Sequence, residues 1–487
     1  MPGPILRFVA ATLLFGAVAG CERATPEQQF IGDAIDAVGG RSRIETARTL
    51  TLEGEGVNYN LGQDMQPEAA TQQFAVTNYR RHIDIAGGRQ RVEQTRTPKF
   101  SYFQGPQPQT QILGLDGTVA FNVNAQGQPS RAAAVAETDR LHELYHHPLT
   151  LLRATLDPGT TVTNVRAVGT ARQADIATGA GPKLTLTIDA GGRPLSISSK
   201  THHANLGDVV VTTAFAAYDN VNGLNLPTQF TTNVDDFTTA ALKITRQTID
   251  GSLGDLAAPA AVAGPRPATA AISVKPEPVA KGVWLMGGGS HHSALIEFSD
   301  HLMLIDAPQS EARTLAVIAQ AKQTVPNKPL TQLVVTHHHF DHTAGLRAAI
   351  AEGMNVITHA GNREWVERMA KRPHTIQPDT LAKNATRLVV ETVDAEKAYT
   401  DPSMTVQLFH VAGNPHSDTM LMAYIPRERL LIQVDAFSPG AGPHLYAANL
   451  LENIQKRNLR VDRIVPLHGA ISPMAELVKA VGSTKEK

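Results

Sequence analysis

The chain has 487 residues, more than one ordinary domain holds, so two folded units are expected. Hydrophobic residues make up 42% and charged residues only 18%, the balance of a globular protein able to bury real cores. Lys plus Arg number 44 against 45 for Asp plus Glu, and aromatic residues are sparse at 5%, so a polyanionic partner such as DNA or RNA is not expected.

The first element is an apolar run, Phe8 to Ala19, behind a single positive charge at Arg7. It is too short to span a bilayer comfortably, and Val18-Ala19-Gly20 set small residues before Cys21, the only cysteine. This pattern resembles the lipobox of bacterial lipoproteins. The resemblance implies a signal peptide over 1–20 and a lipidated Cys21 as the first mature residue. The chain would then be lipid-anchored in the cell envelope and face the periplasm, with inner or outer membrane left open. The mature chain would carry neither free thiol nor disulfide.

Residues 21–253 read as one β-rich domain. Ala24 to Glu27 suggest a tether, and Phe30 to Val38 an amphipathic helix ended by Gly39-Gly40. From Leu50 to Ile249 short alternating runs such as Leu184-Thr185-Leu186-Thr187-Ile188 are broken by turn residues, the signature of antiparallel strands. One helical stretch, Ala132 to Leu156, is split at Pro148. The stretches "AGGRPLSIS" and "NVNGLNLPTQF" make the region similar to the open half-barrels of periplasmic lipoprotein-carrier proteins. Residues 254–280, rich in Ala and Pro and without periodicity, read as a linker.

Residues 281–487 alternate strands and helices: strands around Val283, Ala294 and Leu302, then a helix from Glu311 to Gln323 capped by Ser310. Next come a buried strand from Leu330 to Val335, a hairpin from Met420 to Val434, and a last helix capped by Ser472 with Pro473 at its first position. Straight after the buried strand stands Thr336-His337-His338-His339-Phe340-Asp341-His342. Imidazoles at alternate positions of an extended loop can converge on one metal, while Asp341 and His342 reach a second. Nitrogen and carboxylate ligands without thiolate suit zinc, with manganese or iron as the other candidates.

These residues match the His-x-His-x-Asp-His motif of the metallo-β-lactamase superfamily. The match implies an α/β domain of αββα sandwich type behind the mostly antiparallel β domain. By that resemblance His337, His339 and His416 hold metal one, Asp341, His342 and His468 hold metal two, and Asp435 bridges them. Asp306 would brace the metal loops, and His338 would point away from the metals toward a neighbouring strand. The implied enzyme is a zinc metallohydrolase with two divalent metals, in which Asp341 and Asp435 serve catalysis and a bridging hydroxide attacks. The bond would be ester-like (carboxyl ester, lactone, thioester or phosphodiester) and the substrate a small molecule. The ligand set resembles glyoxalase II and the lactonases. The helical thioester domain of the former is missing, however, and Ser438 stands where the latter have tyrosine. β-Lactamases of this scaffold carry cysteine or serine where Asp435 stands, so β-lactam hydrolysis is an alternative only. A further alternative makes the half-barrel a membrane-tethered carrier of an apolar ligand, with an accessory metal domain.

Five other residues are candidates for contact with substrate or ligands. His291 and His292, after Gly287-Gly288-Gly289-Ser290, either overhang the metals or form an exposed hairpin tip. His444 and Tyr446 could stabilise an oxyanion or donate a proton, unless His444 caps the helix from Leu445. His410 could orient a ligand. The pairs His146-His147 and His202-His203 read as surface histidines.

Overall fold

The computed structural model describes residues 23–101, 107–268, 270–440, 442 and 444–484. The expected signal peptide and Cys21 lie outside them. Among the described residues no helix is long and apolar enough to cross a membrane.

The first helix spans Pro26–Val38, so the second half of the expected tether, Pro26 and Glu27, is already helical. Thr25 caps it: its hydroxyl accepts from Gln28 N while the Gln28 side chain accepts from Thr25 N, and Pro26 pre-sets the first turn. The strands that follow form one thirteen-stranded sheet among the described residues, every neighbouring pair antiparallel. Its first strand, Thr49–Tyr59, pairs with its last, Phe237–Ile249, at the centre of the sheet. Its edges are Pro129–Arg131 and Thr161–Val168. The helices Ala134–Tyr145 and Pro148–Ala154 connect these two edges. Leu144, Leu149, Leu151 and Leu152 pack from them into one core with Leu52, Val76, Ile83, Leu186, Ile197 and Phe215 of the sheet. Pro148 occupies the first position of the second helix, where its missing N–H costs nothing.

His146 and His147, expected at the surface, are 4% and 0% exposed. They sit where the two helices meet and the chain is pressed onto the sheet. The periodicity of two short helices cannot show which residues their junction buries. His202 and His203 are half-buried, the latter against the Phe340 ring.

Lys275–Ala280, inside the expected linker, is the edge strand of a seven-stranded sheet. Pro276 and Pro278 disguise it in sequence, yet an edge position tolerates their lack of a donor. The next strands, Val283–Gly287, Ser293–Glu297 and Leu302–Ile305, add antiparallel; Leu330–Val335, Asn355–His359 and Val390–Val393 add parallel. A six-stranded sheet follows, from Glu396–Thr400 to Ser472–Pro473. The two sheets share one core, in which Leu285, Ile296, Ile305 and Val334 meet Leu408, Ala423, Ile432 and Val465. The helices Glu311–Thr324, Leu346–Ala351 and Arg363–Lys371 bury their apolar sides on the other face of the seven-stranded sheet. Ala447–Lys456 and Met474–Thr484 do the same on the six-stranded sheet. Ser472 and Pro473 pair with Ile464 and Arg463 instead of opening the last helix, which begins at Met474.

Asp306, His337, Asp435 and His468 each follow the C-terminal end of a strand in these two sheets: Leu302–Ile305, Leu330–Val335, Leu430–Gln433 and Arg463–Pro466. His416 lies in the loop after Thr405–His410. All five therefore gather at one rim.

Candidate metal centre

Two sets of ligand atoms meet there. In one, an atom each from His337, His339, His416 and Asp435 lies within 4.8 Å of the others; in the second, the same holds for His291, Asp341, His342 and His468. Asp435 joins the sets: its Oδ2 lies 3.3, 3.1 and 2.9 Å from Nε2 of His337, His342 and His416, and its Oδ1 lies 2.8 Å from His468 Nε2. Asp435 and Asp306 both adopt left-handed backbone conformations, φ +54° and +61°. Aspartate tolerates that region better than most residues, and such geometry gathers at functional sites.

Asp306 lies fully buried beneath the cluster and decides which ring nitrogens face it. Its Oδ2 accepts from His342 Nδ1 at 3.0 Å and from the Thr336 hydroxyl at 2.8 Å, while Oδ1 accepts from Thr336 N. Having donated its proton, the Thr336 oxygen accepts from His337 Nδ1 at 3.2 Å. Both imidazoles thus spend Nδ1–H on this network and turn Nε2 toward Asp435.

The electrostatics call for cations. Burial pushes the His337 imidazole down to about 4 and holds that of His339 well below its ordinary value, so both are neutral at pH 7. Burial opposes ionisation of Asp341 and Asp435, but the His291 hydrogen bond to the former, and His342 and His468 beside the latter, hold both well below the usual carboxylate range. Burial also opposes charge on His342, yet Asp435 and Asp306 outweigh it and pull the imidazole well above its ordinary value. One imidazolium is then left to answer at least two carboxylates. His337 Nε2 and His339 Nδ1 are buried with no hydrogen-bond partner, and His468 Nε2 faces His342 Nε2 at 3.1 Å. Bare nitrogens turned toward one another and toward carboxylates fit divalent metal ions better than any internal hydrogen-bond scheme.

The remaining sequence candidates separate. His291 is not a free hairpin tip: it is half-buried, donates from Nε2 to Asp341 Oδ2 at 3.1 Å, and stands among the ligand atoms of the second set. His292 is tied through its backbone N to Leu467 O and stays outside both sets. His410 donates to the carbonyl of Asp418, in the loop that carries His416. His444 packs on Phe437 and caps nothing, because the helix begins at Ala447. The Tyr446 ring lies 5.1 Å from that of His416, but its hydroxyl donates to Ser101 O, away from the ligand sets. His338 turns from the metal side, its Nδ1 toward the Thr419 hydroxyl and its Nε2 toward the carbonyl of Asp64.

Two contacts come from residues 60–72, the loop between Thr49–Tyr59 and Gln73–Asp84, which the sequence does not single out. Gln63 Nε2 donates to Asp341 Oδ1 at 2.7 Å, and Asp64 O accepts from His339 Nε2 at 2.8 Å. No motif marks them.

Residues 286–468 match the family model described as the metallo-beta-lactamase superfamily, so the C-terminal part of the chain carries a domain of that superfamily. Its members are generally metallohydrolases that bind divalent metals. Among solved structures, the chain is similar to the DIM-1 metallo-beta-lactamase (16% identity, covering 44% of this chain and 97% of that one, TM-score 0.35). It is also similar to metallo-beta-lactamases from Pontibacter korlensis (16%, 44% and 100%, TM-score 0.33) and Hirschia baltica (19%, 43% and 97%, TM-score 0.34). No curated protein matches the chain.

Proposed function

We propose that this chain is a dinuclear metal-dependent hydrolase acting on an ester-like bond (carboxyl ester, lactone, thioester or phosphodiester) of a small molecule. The observation that carries the reading is the pair of adjoining ligand sets joined by Asp435, with His337 Nε2 and His339 Nδ1 buried there without a hydrogen-bond partner. When bound, two divalent cations, zinc first among the candidates, would supply Lewis acidity and an activated water, so no serine or cysteine nucleophile is needed. His337, His339 and His416 would hold one cation, Asp341, His342 and His468 the other, and Asp435 both. His291 is positioned to join the second set. Asp306 keeps the Nδ1–H of His342 directed away from the metals and, through Thr336, that of His337 as well.

Elemental analysis of protein purified without chelator should find about two metals per chain. Substitution of Asp341 or His468 should then lower that content. No uptake, even after zinc or manganese is added, would end the hydrolase reading. Lactone, thioester, phosphodiester and β-lactam substrates, tested as a panel, would then identify the bond. Lipid anchoring at Cys21, facing the periplasm, belongs to the same proposal, and mass spectrometry of the mature N-terminal peptide tests it.

One observation favours a second reading. A cavity of about 330 Å³ in the N-terminal domain has an apolar side, with Leu52, Val92, Phe230 and Leu242, and a charged side, with Arg81, Asp139, Arg140 and Glu143. A carrier of apolar molecules would use such a space. Saturable binding of a fluorescent fatty acid, lost in Phe230→Asp, would support that role.

A further inference from the structure

We infer that the N-terminal unit is a working part of the metal centre: the loop 60–72 supplies two positioning groups, the backbone carbonyl of Asp64 for His339 and the side-chain amide of Gln63 for Asp341. The inference rests on the two-metal reading above.

The Asp64 carbonyl can only accept. His338 Nε2 at 2.9 Å and His339 Nε2 at 2.8 Å must therefore both carry hydrogen and donate to it. For neutral His339 this fixes the tautomer, leaving the Nδ1 lone pair as the buried, unpartnered nitrogen that faces His337 and His416. Asp306 does the same for His337 and His342 from within the metal domain. For His339 the service comes from the other domain. Gln63 acts on the second set: its amide holds Asp341 Oδ1, while His291 holds Oδ2. The carboxylate is thereby clamped in one orientation before any cation arrives.

The loop is built for this delivery. The buried carboxylate of Asp64 accepts from Met65 N, Thr71 N, Thr71 Oγ1 and Gln72 N, which closes the loop on itself and aims the carbonyl outward. Gly62 O accepts from Phe340 N, and Met65 O accepts from Asp418 N, so backbone bonds tie the loop to both histidine-bearing segments. Gly62 has φ +76°, and a Cβ there would stand 2.1 Å from the Phe340 ring; no other residue permits the approach. From a second direction Asn205 Nδ2, in the turn between Pro194–His203 and Gly207–Val221, donates to Phe340 O. The metal motif is thus held between two loops of the N-terminal sheet.

The test is stepwise metal titration of the full chain against a chromogenic chelator, with melting temperatures measured in excess EDTA. Gln63→Leu should weaken the second metal by about tenfold to a hundredfold and leave the first unchanged, since partners that orient a ligand act on that scale. Asp64→Ala, which unties the carbonyl, should weaken the first metal selectively. Glu68→Ala breaks the ion pair that the same loop makes with Arg368 but touches no ligand partner, so both metal steps should stay as in the parent. The inference is overturned if Gln63→Leu titrates like the parent, or if Glu68→Ala weakens the metals as much as Gln63→Leu does, since the loop would then act by docking alone. A parent protein that takes up no metal would instead remove the two-metal reading.

Discussion

His146 and His147, where two helices of the N-terminal domain meet, are about as deeply buried as His337, His339 and His342 at the rim of the metal domain, and both groups stand close together in sequence. Their surroundings differ in kind. His146 places Nδ1 3.0 Å from the Thr213 hydroxyl and Nε2 3.0 Å from that of Ser199, one partner able to donate and one to accept. His147 accepts from Leu149 N and stacks on Phe230, with no carboxylate among its partners. Around His337 and its neighbours the outward nitrogens are spent on Asp306, Thr336 and Asp64, and the inward nitrogens of His337 and His339 are left without a hydrogen-bond partner in the set that Asp435 completes. Burial alone therefore does not mark a ligand. What marks it is a ring with one nitrogen fixed by a partner and the other turned, unpaired, toward a shared carboxylate.

The comparison breaks most visibly at Asp435. Asp435→Ala removes the only carboxylate common to both ligand sets. Metal content should fall below two per chain and turnover by roughly three orders of magnitude or more, measured by elemental analysis and steady-state rates. Full turnover in that variant would mean that the two sets do not act together.

Acid tests the burial of the His146–His147 pair next. Burial pushes His146 and His147 down to about 3, so their imidazoles are neutral in the fold and near the ordinary value of about 6.5 once unfolded. A histidine with a depressed folded pKa contributes stability that is fully present above about 6.5 and is lost as pH falls toward 3. From pH 6.5 to 5 each imidazole should cost on the order of 2 kcal/mol, read as a falling urea midpoint in chelator-treated protein. His146→Gln keeps a donor and an acceptor but no nitrogen that titrates in this range, and should remove one imidazole's share of the slope, the rest coming from His147 and the other buried histidines such as His337 and His338. A flat profile between pH 6.5 and 5 would contradict the burial of the pair.

The smallest effect sharpens the border of the second set. His291→Ala should weaken the second metal about tenfold and leave the first untouched, measured by the same chelator titration. Unchanged affinity for both would make His291 only a hydrogen-bond partner of Asp341.

Much of the metal domain can be read from the chain because its signals are local. A strand of apolar residues that ends in His-x-His-x-Asp-His fixes where the motif must lie, and Ser310 announces its helix by capping it. The N-terminal contribution to the site has no such signature. Gln63 and Asp64 sit in a polar connection between two strands, and their meaning comes only from residues nearly 280 positions away. Burial of His146 and His147, and the pairing of the proline-bearing strand Lys275–Ala280, likewise depend on what packs opposite them. Residue type and spacing cannot encode that.

The central ladder of the large sheet joins Leu50 to Ile249, 199 positions apart, so the strand that precedes the metal-site loop, already paired with Gln73–Asp84, gains its second partner only after some 200 further residues have been made. Contacts so distant along a chain close late and slowly. If His339 takes its orientation from Asp64, metal loading becomes a late step of maturation, gated by closure of a sheet that, among the described residues, contributes no side chain to either ligand set. During synthesis a nascent chain would have its N-terminal strands before its metal motif, and the motif would be delivered to a frame already waiting for it.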